Sequence, residues 1–219
     1  MRDPLIPETP SADTYKSDGA RPLIDESAEP FALFRAWMAE AREKELNDSN
    51  AMSLATVDEQ GMPDVRMVLL KDISEDGFTF FTHLTSAKGQ QLTLASAKAA
   101  LGFHWKSLRR QVRIRGHVSQ VPAAQADAYY ATRARASRIG AWASDQSKTL
   151  SGRSELEARL AKYEETYEGQ DDIPRPPNWI GFCVKPMSME FWQDQPFRLH
   201  DRVVFTRKDD DWATTRLYP

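Results

Sequence analysis

The chain has 219 residues, of which 41% are hydrophobic and 28% are charged, a balance typical of a soluble globular protein. It contains no run of about 20 apolar residues that could cross a membrane, and its net charge of −3 argues against a general nucleic-acid binder. The N-terminus lacks the apolar segment of a secretory signal, and the single Cys183 cannot form an internal disulfide, so we expect a cytoplasmic protein.

An arm and a helix are predicted at the start of the chain. The first thirty residues contain five of the thirteen prolines and no apolar period, so residues 1–28 are predicted to be a mobile arm. Residues 29–219 are predicted to form a single domain. Asp25 or Ser27 is a candidate cap for a helix entered through Pro30, after which apolar residues recur at helical spacing.

A meander of short strands follows this helix, because apolar runs alternate with turn signals. The predicted strands are 51–57, 64–71, 78–83, 99–106 and 111–121, with a short helix over 86–97. In the last of these strands Val112 and Ile114 alternate with arginines, which is typical of a strand with one solvated face.

The second half of the chain is predicted to form helices and then strands again. The predicted helices are 123–133 and 153–168, and the predicted strands are 179–184, 188–193, 203–207 and 212–217. Because most strands follow one another through short turns, the sheet should be antiparallel. The pattern therefore predicts an α+β protein built on a β-barrel or a strongly curled sheet.

Several familiar catalytic and nucleotide-binding motifs are absent from the sequence. It contains no GxGxxG, no GxxxxGK[ST] and no GxSxG, which argues against the usual nucleotide loops and the hydrolase elbow. The four histidines are far apart and have no cysteine beside them, so we predict no metal site.

Cationic side chains among apolar segments are the remaining chemical signal. Arg66 and Lys71 flank an apolar run, and Tyr129, Arg133 and Ser137 form one row if their helix continues that far. Guanidinium and ammonium groups suit phosphate, because they donate several charge-assisted hydrogen bonds. Several separate cationic clusters would suit more than one phosphate group.

A further cationic group precedes the last hairpin. Arg198, His200 and Arg202 alternate, so in an extended chain all three side chains point to one face. Taken singly, each of these residues is more often a salt-bridged or structural residue than a ligand. Composition and spacing alone therefore indicate an anionic ligand, one that could carry an aromatic ring, and nothing more specific.

Longer strings of residues are more specific than these spacings. They are Arg66–Lys71, Gly77–Thr82, Ser86–Gly89, Phe103–Trp105, Arg110–Ile114, Ile139–Ser144, Glu190–Gln193 and Arg198–Arg202. In this order they resemble the pyridoxamine/pyridoxine 5′-phosphate oxidase family, from about Phe31 to Pro219.

This resemblance implies an FMN-binding split β-barrel, antiparallel and Greek-key-like with peripheral helices, and a homodimer with FMN at the subunit interface. It assigns FMN contacts to Arg66, Met67, Val68, Leu69, Leu70, Lys71, Phe81, Thr82, Lys88, Gln111, Gln146, Ser147, Trp192 and Arg202. It assigns the substrate phosphate to Lys71, Tyr129, Arg133 and Ser137, and the substrate ring, with catalytic roles, to Arg198 and His200. Three positions depart from the family: Ala87 stands where arginine is frequent, Phe81 stands where tyrosine is common, and His83 replaces a frequent asparagine.

The reaction implied by the resemblance is oxidation of pyridoxamine 5′-phosphate or pyridoxine 5′-phosphate to pyridoxal 5′-phosphate. Molecular oxygen would be the electron acceptor and give hydrogen peroxide, and the amine substrate would also release ammonia. One alternative is a related oxidase of another aromatic substrate, of the phenazine-biosynthesis type. Another is a flavin-binding split-barrel protein without turnover.

Overall fold

A computed structural model describes residues 19–219 of the protein. The helices are α1 (Pro30–Lys44), α2 (Ala87–Leu92), α3 (Ala123–Ala131), α4 (Arg135–Ala143) and α5 (Arg153–Thr166). The strands are β1 (Ala51–Val57), β2 (Pro63–Leu69), β3 (Asp72–Ser74), β4 (Gly77–His83), β5 (Lys98–Trp105), β6 (Arg110–Gln120), β7 (Trp179–Gln193), β8 (Asp201–Lys208) and β9 (Asp211–Arg216). Within this described part of the chain, no helix is both long and apolar enough to cross a membrane.

The chain forms two compact units. The central unit contains Asn50–Leu101 and Arg115–Met187. The terminal unit contains the described residues up to Ser49 together with Gly102–Ile114 and Ser188–Pro219. Strands β5, β6 and β7 contribute residues to both units, so the predicted single domain over residues 29–219 stays a prediction.

The central unit is built on antiparallel strand pairs, as predicted. The strands that contribute to it follow the hydrogen-bonding order β2-β1-β5-β6-β7-β4-β3. Strand β1 has its predicted bounds and pairs with β2 from Ala51 opposite Leu69 to Val57 opposite Pro63. Strand β3, which pairs with β4, was not predicted, because three residues are too few to show a period.

Two helices end earlier than their apolar pattern suggested. The helix predicted over 123–133 ends with α3, and α4 then begins as a separate helix. The helix predicted over 86–97 ends with α2. At each end a threonine hydroxyl, that of Thr132 or Thr93, donates to a carbonyl of the preceding turn, which competes with continuation of the helix.

Helix α1 begins at Pro30 as predicted, but its cap is Glu29 rather than Asp25 or Ser27. The Glu29 carboxylate accepts hydrogen bonds from two backbone N–H groups of the first turn, at 3.0 and 2.7 Å. The Asp25 carboxylate instead accepts from the backbone and hydroxyl of Ser27. A carboxylate one residue before the helix reaches the free N–H groups directly, which explains the difference.

The buried face of α1 packs on aromatic residues in the terminal unit. The ring centroid of Phe34 lies 5.0 Å from that of Phe103, and the centroid of Trp37 lies 5.2 Å from that of Phe191, both edge to face.

The strands predicted at 179–184 and 188–193 are one continuous strand, β7. Strand β7 pairs with β8, and β8 forms the predicted hairpin with β9.

The last residues of the predicted arm are hydrogen-bonded to the terminal unit. The Arg21 N–H donates to Gln195 Oε1 at 3.0 Å, and Gln195 Nε2 donates to the Arg21 carbonyl at 2.8 Å. Ile24 is buried, and its N–H donates to the Asp201 carboxylate at 2.7 Å. Residues 1–18 lie outside the described residues, so their predicted mobility stays a prediction.

Candidate functional site

A cavity of about 640 Å³ in the central unit brings together most of the predicted ligand residues. Its walls come from strands β2, β4 and β7, from helices α2, α3 and α4, and from the segments beside them. The lining residues are Arg66, Met67, Val68, Leu69, Lys71, Phe81, Thr82, His83, Lys88, Tyr129, Arg133, Ser137, Gly140, Ala141, Ser144, Gln146 and Trp179. Four of these are Lys or Arg and none is Asp or Glu, so the cavity suits an anionic ligand.

The predicted phosphate residues meet at this cavity although they do not share one helix. Tyr129 is on α3, Arg133 is in the turn that follows, and Ser137 is on α4, so the single helical row does not form. All three residues nonetheless line the cavity. Lys71 joins them, with its Nζ 5.9 Å from the centre of the Tyr129 ring.

The guanidinium of Arg133 has an unsatisfied donor at this wall. Its Nη1 is buried and has no hydrogen-bond partner among the described residues. Burial lowers the pKa of Arg133, and the neighbouring Tyr129 and Tyr130 oppose this effect. A buried donor without a partner costs about 1–3 kcal/mol, so an anion placed here would remove a penalty as well as form a contact.

Three aromatic rings stack at the same wall. The Phe81 ring centroid lies 4.3 Å from that of Tyr129 and 5.1 Å from that of Trp179, with interplanar angles of 17° and 3°. The Tyr129 and Trp179 centroids are 6.0 Å apart, so the three near-parallel rings are mutual neighbours. A Cβ atom at Gly181 would lie 2.6 Å from the Phe81 ring, so glycine leaves the space that the ring occupies. Trp179 was not among the predicted site residues, because a tryptophan that opens an apolar strand looks like a core residue in the sequence.

A second polar group joins α2 to the segment after α4. Lys88 Nζ donates to Gln146 Oε1 at 2.9 Å, and the Thr82 hydroxyl donates to the same oxygen at 3.0 Å. Burial lowers the pKa of Lys88, the positive Arg66 lowers it further, and Asp64 opposes both. The lysine has no acidic partner within the described residues, so it is available to a ligand anion.

Arg66 differs from the other cations because an acid already pairs with it. Its Nη2 forms an ion pair with Asp64 and donates to Gln91 Oε1 at 3.2 Å. Its Nη1 donates to the Leu54 carbonyl at 3.1 Å. These contacts fix the guanidinium but leave fewer of its donors for a ligand than the sequence suggested.

Two predicted cofactor residues line neither this cavity nor the pocket of the terminal unit. Leu70 is 4% exposed and belongs to the core, and its backbone pairs with Asn50. Ser147 lines a different cavity of about 250 Å³ and has a φ of 70°. Ser147 shares its cavity with the ligand candidate Gln146, whereas the Leu70 side chain lies in the core. The contacts of both residues with a cofactor stay predictions.

The remaining predicted cofactor residues surround a pocket of about 170 Å³ in the terminal unit. It is lined by Gln111, Arg113, Glu190, Trp192, Arg202 and Pro219. Glu190 Oε1 accepts from Arg202 Nε at 3.0 Å and from Nη2 at 2.7 Å, while its other oxygen pairs with Arg113. This forked contact orients the Arg202 guanidinium, a role for Glu190 that no motif indicated.

The segment before β8 is not extended, so the predicted common face of Arg198 and His200 is wrong. Residues 196–198 form a 3₁₀ turn in which Arg198 has a φ of 62°, and its side chain is exposed. His200 is half-buried, with its ring centroid 4.6 Å from that of Trp192. Its Nδ1 lies 3.1 Å from a carboxylate oxygen of Asp194.

His83 is a lining residue that the sequence showed only as a departure from the family. It is 6% exposed, and its Nδ1 has no hydrogen-bond partner in the described part of the chain. Burial lowers the pKa of His83, Lys88 and Arg133 lower it further, and Asp145 opposes them. The imidazole is therefore neutral at neutral pH, and the positive charge of the cavity comes from lysine and arginine.

Comparison with known families gives two matches that together span most of the chain. Residues 38–167 match the family described as pyridoxamine 5′-phosphate oxidase. Residues 179–219 match the region described as the pyridoxine 5′-phosphate oxidase C-terminal dimerisation region.

Individual relatives agree with these matches. A pyridoxine/pyridoxamine 5′-phosphate oxidase of Hyphomonas neptunium is 58% identical and is covered over the full length of both chains. PhzG of Burkholderia lata, solved with tetrahydrophenazine-1-carboxylic acid, is 31% identical with a TM-score of 0.83, over 89% of this chain and 95% of that one. An FMN-binding protein of Nostoc punctiforme related to pyridoxamine 5′-phosphate oxidase is 20% identical with a TM-score of 0.67, over 89% of this chain and 100% of that one. The predicted fold, an FMN-binding split β-barrel, is confirmed.

The lowered pKa of His83 predicts a pH dependence of stability. The unfolded chain takes up a proton on His83 near its ordinary pKa of about 6.5, whereas the folded chain takes it up at a lower pH. The free energy of unfolding should therefore be highest above about pH 6.5 and fall as the pH is lowered. The contribution of His83 to this fall is at most about 1.4 kcal/mol per pH unit. In His83→Asn the slope should be smaller, with His200, whose pKa is also lowered, supplying what remains.

Urea unfolding of the apoprotein between about pH 5 and 7 measures this slope. The variant His117→Asn, at an exposed position, controls for the effect of replacing a histidine by asparagine. Equal slopes for wild type and His83→Asn would contradict the prediction.

Proposed function

The chain belongs to the pyridoxamine 5′-phosphate oxidase family of oxidoreductases, and we propose that it uses FMN to oxidise pyridoxamine 5′-phosphate or pyridoxine 5′-phosphate to pyridoxal 5′-phosphate. Molecular oxygen is the proposed acceptor and gives hydrogen peroxide, with ammonia released from the amine substrate. The predicted cytoplasmic location stays a prediction.

The observation that carries the proposal is the unpartnered, buried nitrogen of Arg133. The Arg133 residue lines a cavity together with Lys71, Tyr129 and Ser137, all of which can donate hydrogen bonds to a phosphate. A substrate without phosphate would leave the buried donor unsatisfied. The cavity therefore favours a phosphorylated substrate of the kind named for the Hyphomonas relative.

A second group of hydrogen-bond donors in the cavity supports the proposal that the phosphate of FMN binds there. Lys88 has no acidic partner among the described residues, and Arg66 lies close enough to lower its pKa. Both line the cavity with Thr82 and Gln146. Cationic and amide donors of this kind fit a phosphate ester, and the stack around Phe81 provides flat apolar surface beside them.

The positions of these residues suggest separate roles for the cofactor and for the protein in the proposed reaction. When bound, FMN supplies the acceptor for a hydride equivalent and passes the electrons to oxygen. Lys71, Tyr129, Arg133 and Ser137 bind the substrate phosphate and so restrict how the ring can lie. Arg198 and His200 are proposed to contact the ring, where a guanidinium stabilises charge that develops as the hydride leaves.

The distribution of the cofactor residues supports a site completed by a second chain. Residues 179–219 match a dimerisation region, and they include Trp192 and Arg202. These two residues line the pocket of the terminal unit, whereas Arg66 and Lys88 line the cavity of the central unit. We propose that each FMN contacts the central unit of one chain and the terminal unit of its partner.

The phenazine-type alternative has support from the similarity to PhzG. A carboxylic acid such as the one bound to PhzG could also pair with a guanidinium. It would use fewer of the four donors at Lys71, Tyr129, Arg133 and Ser137 than a phosphate, which has more acceptor oxygens. We therefore rank this alternative, and a flavin-binding protein without turnover, below the proposed oxidase.

Anaerobic titration of the FMN-loaded protein tests the proposed function. Pyridoxamine 5′-phosphate should bleach the flavin absorption near about 450 nm, and air should restore it with release of hydrogen peroxide. Pyridoxamine without its phosphate should bleach much more slowly at equal concentration. A loaded protein that neither phosphorylated vitamer bleaches would contradict the proposal and favour a binding role.

Arg133→Ala should weaken substrate binding more than it slows turnover. Loss of a charge-assisted phosphate contact costs about 1.5–3 kcal/mol, and the contact is present in the ground state and transition state alike. The KM for pyridoxamine 5′-phosphate should therefore rise about tenfold to more than a hundredfold, with a smaller fall in kcat. Arg135→Ala is the matched control, because Arg135 is exposed and does not line the cavity. Unchanged KM in Arg133→Ala would remove Arg133 from the site.

Mixing two inactive variants tests the shared site. Lys88→Ala alters the central unit and Arg202→Ala alters the terminal unit, so each homodimer should bind FMN poorly. If each site joins both units from different chains, a mixed dimer has one intact site of two. Random reassembly should then restore roughly a quarter of wild-type activity. No restoration, with mixed dimers shown to form, would place each site within one chain.

A further inference from the structure

Asp194 lies at the centre of a charged cluster in the terminal unit. It follows β7 directly, and its side chain is 18% exposed. One carboxylate oxygen is 3.1 Å from His200 Nδ1. The other is 3.1 Å from Arg109 Nη1 and 3.5 Å from Arg21 Nη1. Contacts with two guanidinium groups and one imidazole fix the position of this half-buried carboxylate.

The two neighbours of His200 Nδ1 differ in what they can do. The Asp194 carboxylate can only accept a hydrogen bond, whereas the Gln195 N–H, 3.4 Å away, can only donate one. A protonated Nδ1 therefore turns to Asp194 and an unprotonated one to Gln195. The shorter contact favours the form with the proton on Nδ1, which leaves Nε2 as the nitrogen available to a ligand.

We propose that Asp194 is a positioning residue that fixes the imidazole of His200 for the oxidation reaction, and that Arg21 and Arg109 hold Asp194 for this purpose. Trp192 limits the ring from one side, with a centroid distance of 4.6 Å. This inference rests on the proposed function, in which His200 contacts the substrate ring.

The arrangement also ties the segment 21–24 to the same loop. Arg21 reaches Asp194 with its side chain and exchanges two backbone–side-chain hydrogen bonds with Gln195. Gln193 Nε2 donates to the Pro22 carbonyl at 2.6 Å. The residues on both sides of Asp194 are thus bonded to this segment, which adds support for the loop that carries His200.

The charges around His200 give the proposal a signature with a definite sign. Burial lowers the pKa of His200, Asp194 opposes this effect, and Arg198 adds to it. Arg21 and Arg109 act through Asp194, because they neutralise the carboxylate that favours the charged imidazole. Loss of Asp194 and loss of Arg21 should therefore move the titration of His200 in opposite directions.

The test compares Asp194→Asn and Arg21→Gln with wild type. NMR of protein labelled on its four histidines follows the titration of His200, whose signal is assigned by its absence in His200→Gln. Asp194→Asn should lower the pKa of His200, and Arg21→Gln should raise it. Asp127→Asn is the matched control: it removes an aspartate–arginine pair in the central unit and should leave His200 unchanged.

Stopped-flow reduction by saturating pyridoxamine 5′-phosphate supplies the second readout. Asp194→Asn should retain its FMN but reduce it about tenfold more slowly or worse, with the inflection of the pH profile displaced in the same direction as the NMR titration. No displacement in either variant, or displacement of the same sign in both, would overturn the pairing. A displaced titration with wild-type reduction rates at every pH would overturn the positioning role. If wild-type protein is not reduced at all, the proposed function fails, and the NMR titrations still decide the pairing.

Discussion

Buried positive charge without an internal counter-ion is the constraint that the central cavity depends on. Burial lowers the pKa of both Arg133 and Lys88, and neither has an acidic partner among the described residues. Burying a cation costs free energy unless an anion offsets it. The fold tolerates this cost at a cavity wall, where a ligand phosphate can supply the missing charge. Stability and anion binding are therefore coupled in this unit.

In the terminal unit, by contrast, two side chains of the predicted site already have partners within the chain. Arg202 is held by the forked contact with Glu190, and His200 is held by Asp194, so these groups have their partners before any ligand arrives. Groups fixed in this way keep their orientation at little further entropic cost when a ligand binds.

Local sequence patterns correctly predicted the helix and strands whose structure depends mainly on neighbouring residues. The alternation on β6, with Val112 and Ile114 buried between exposed arginines, identified a strand with one solvated face. Proline and helical spacing identified α1. The ligand residues of the central unit were named through their resemblance to a family, and most of them do line one cavity. Their individual roles stay predictions.

The sequence by itself determined the antiparallel α+β class and, through its longer strings, the family. Only the tertiary structure decided which side chains share a wall. Ser137 reaches the cavity from a second helix, because α3 ends early at Thr132. Leu70 turns into the core although its neighbours line the cavity. Arg198 lies in a tight turn rather than in a strand. In each case the direction of the side chain depends on where the backbone turns and on contacts with residues distant in sequence, which no local pattern records.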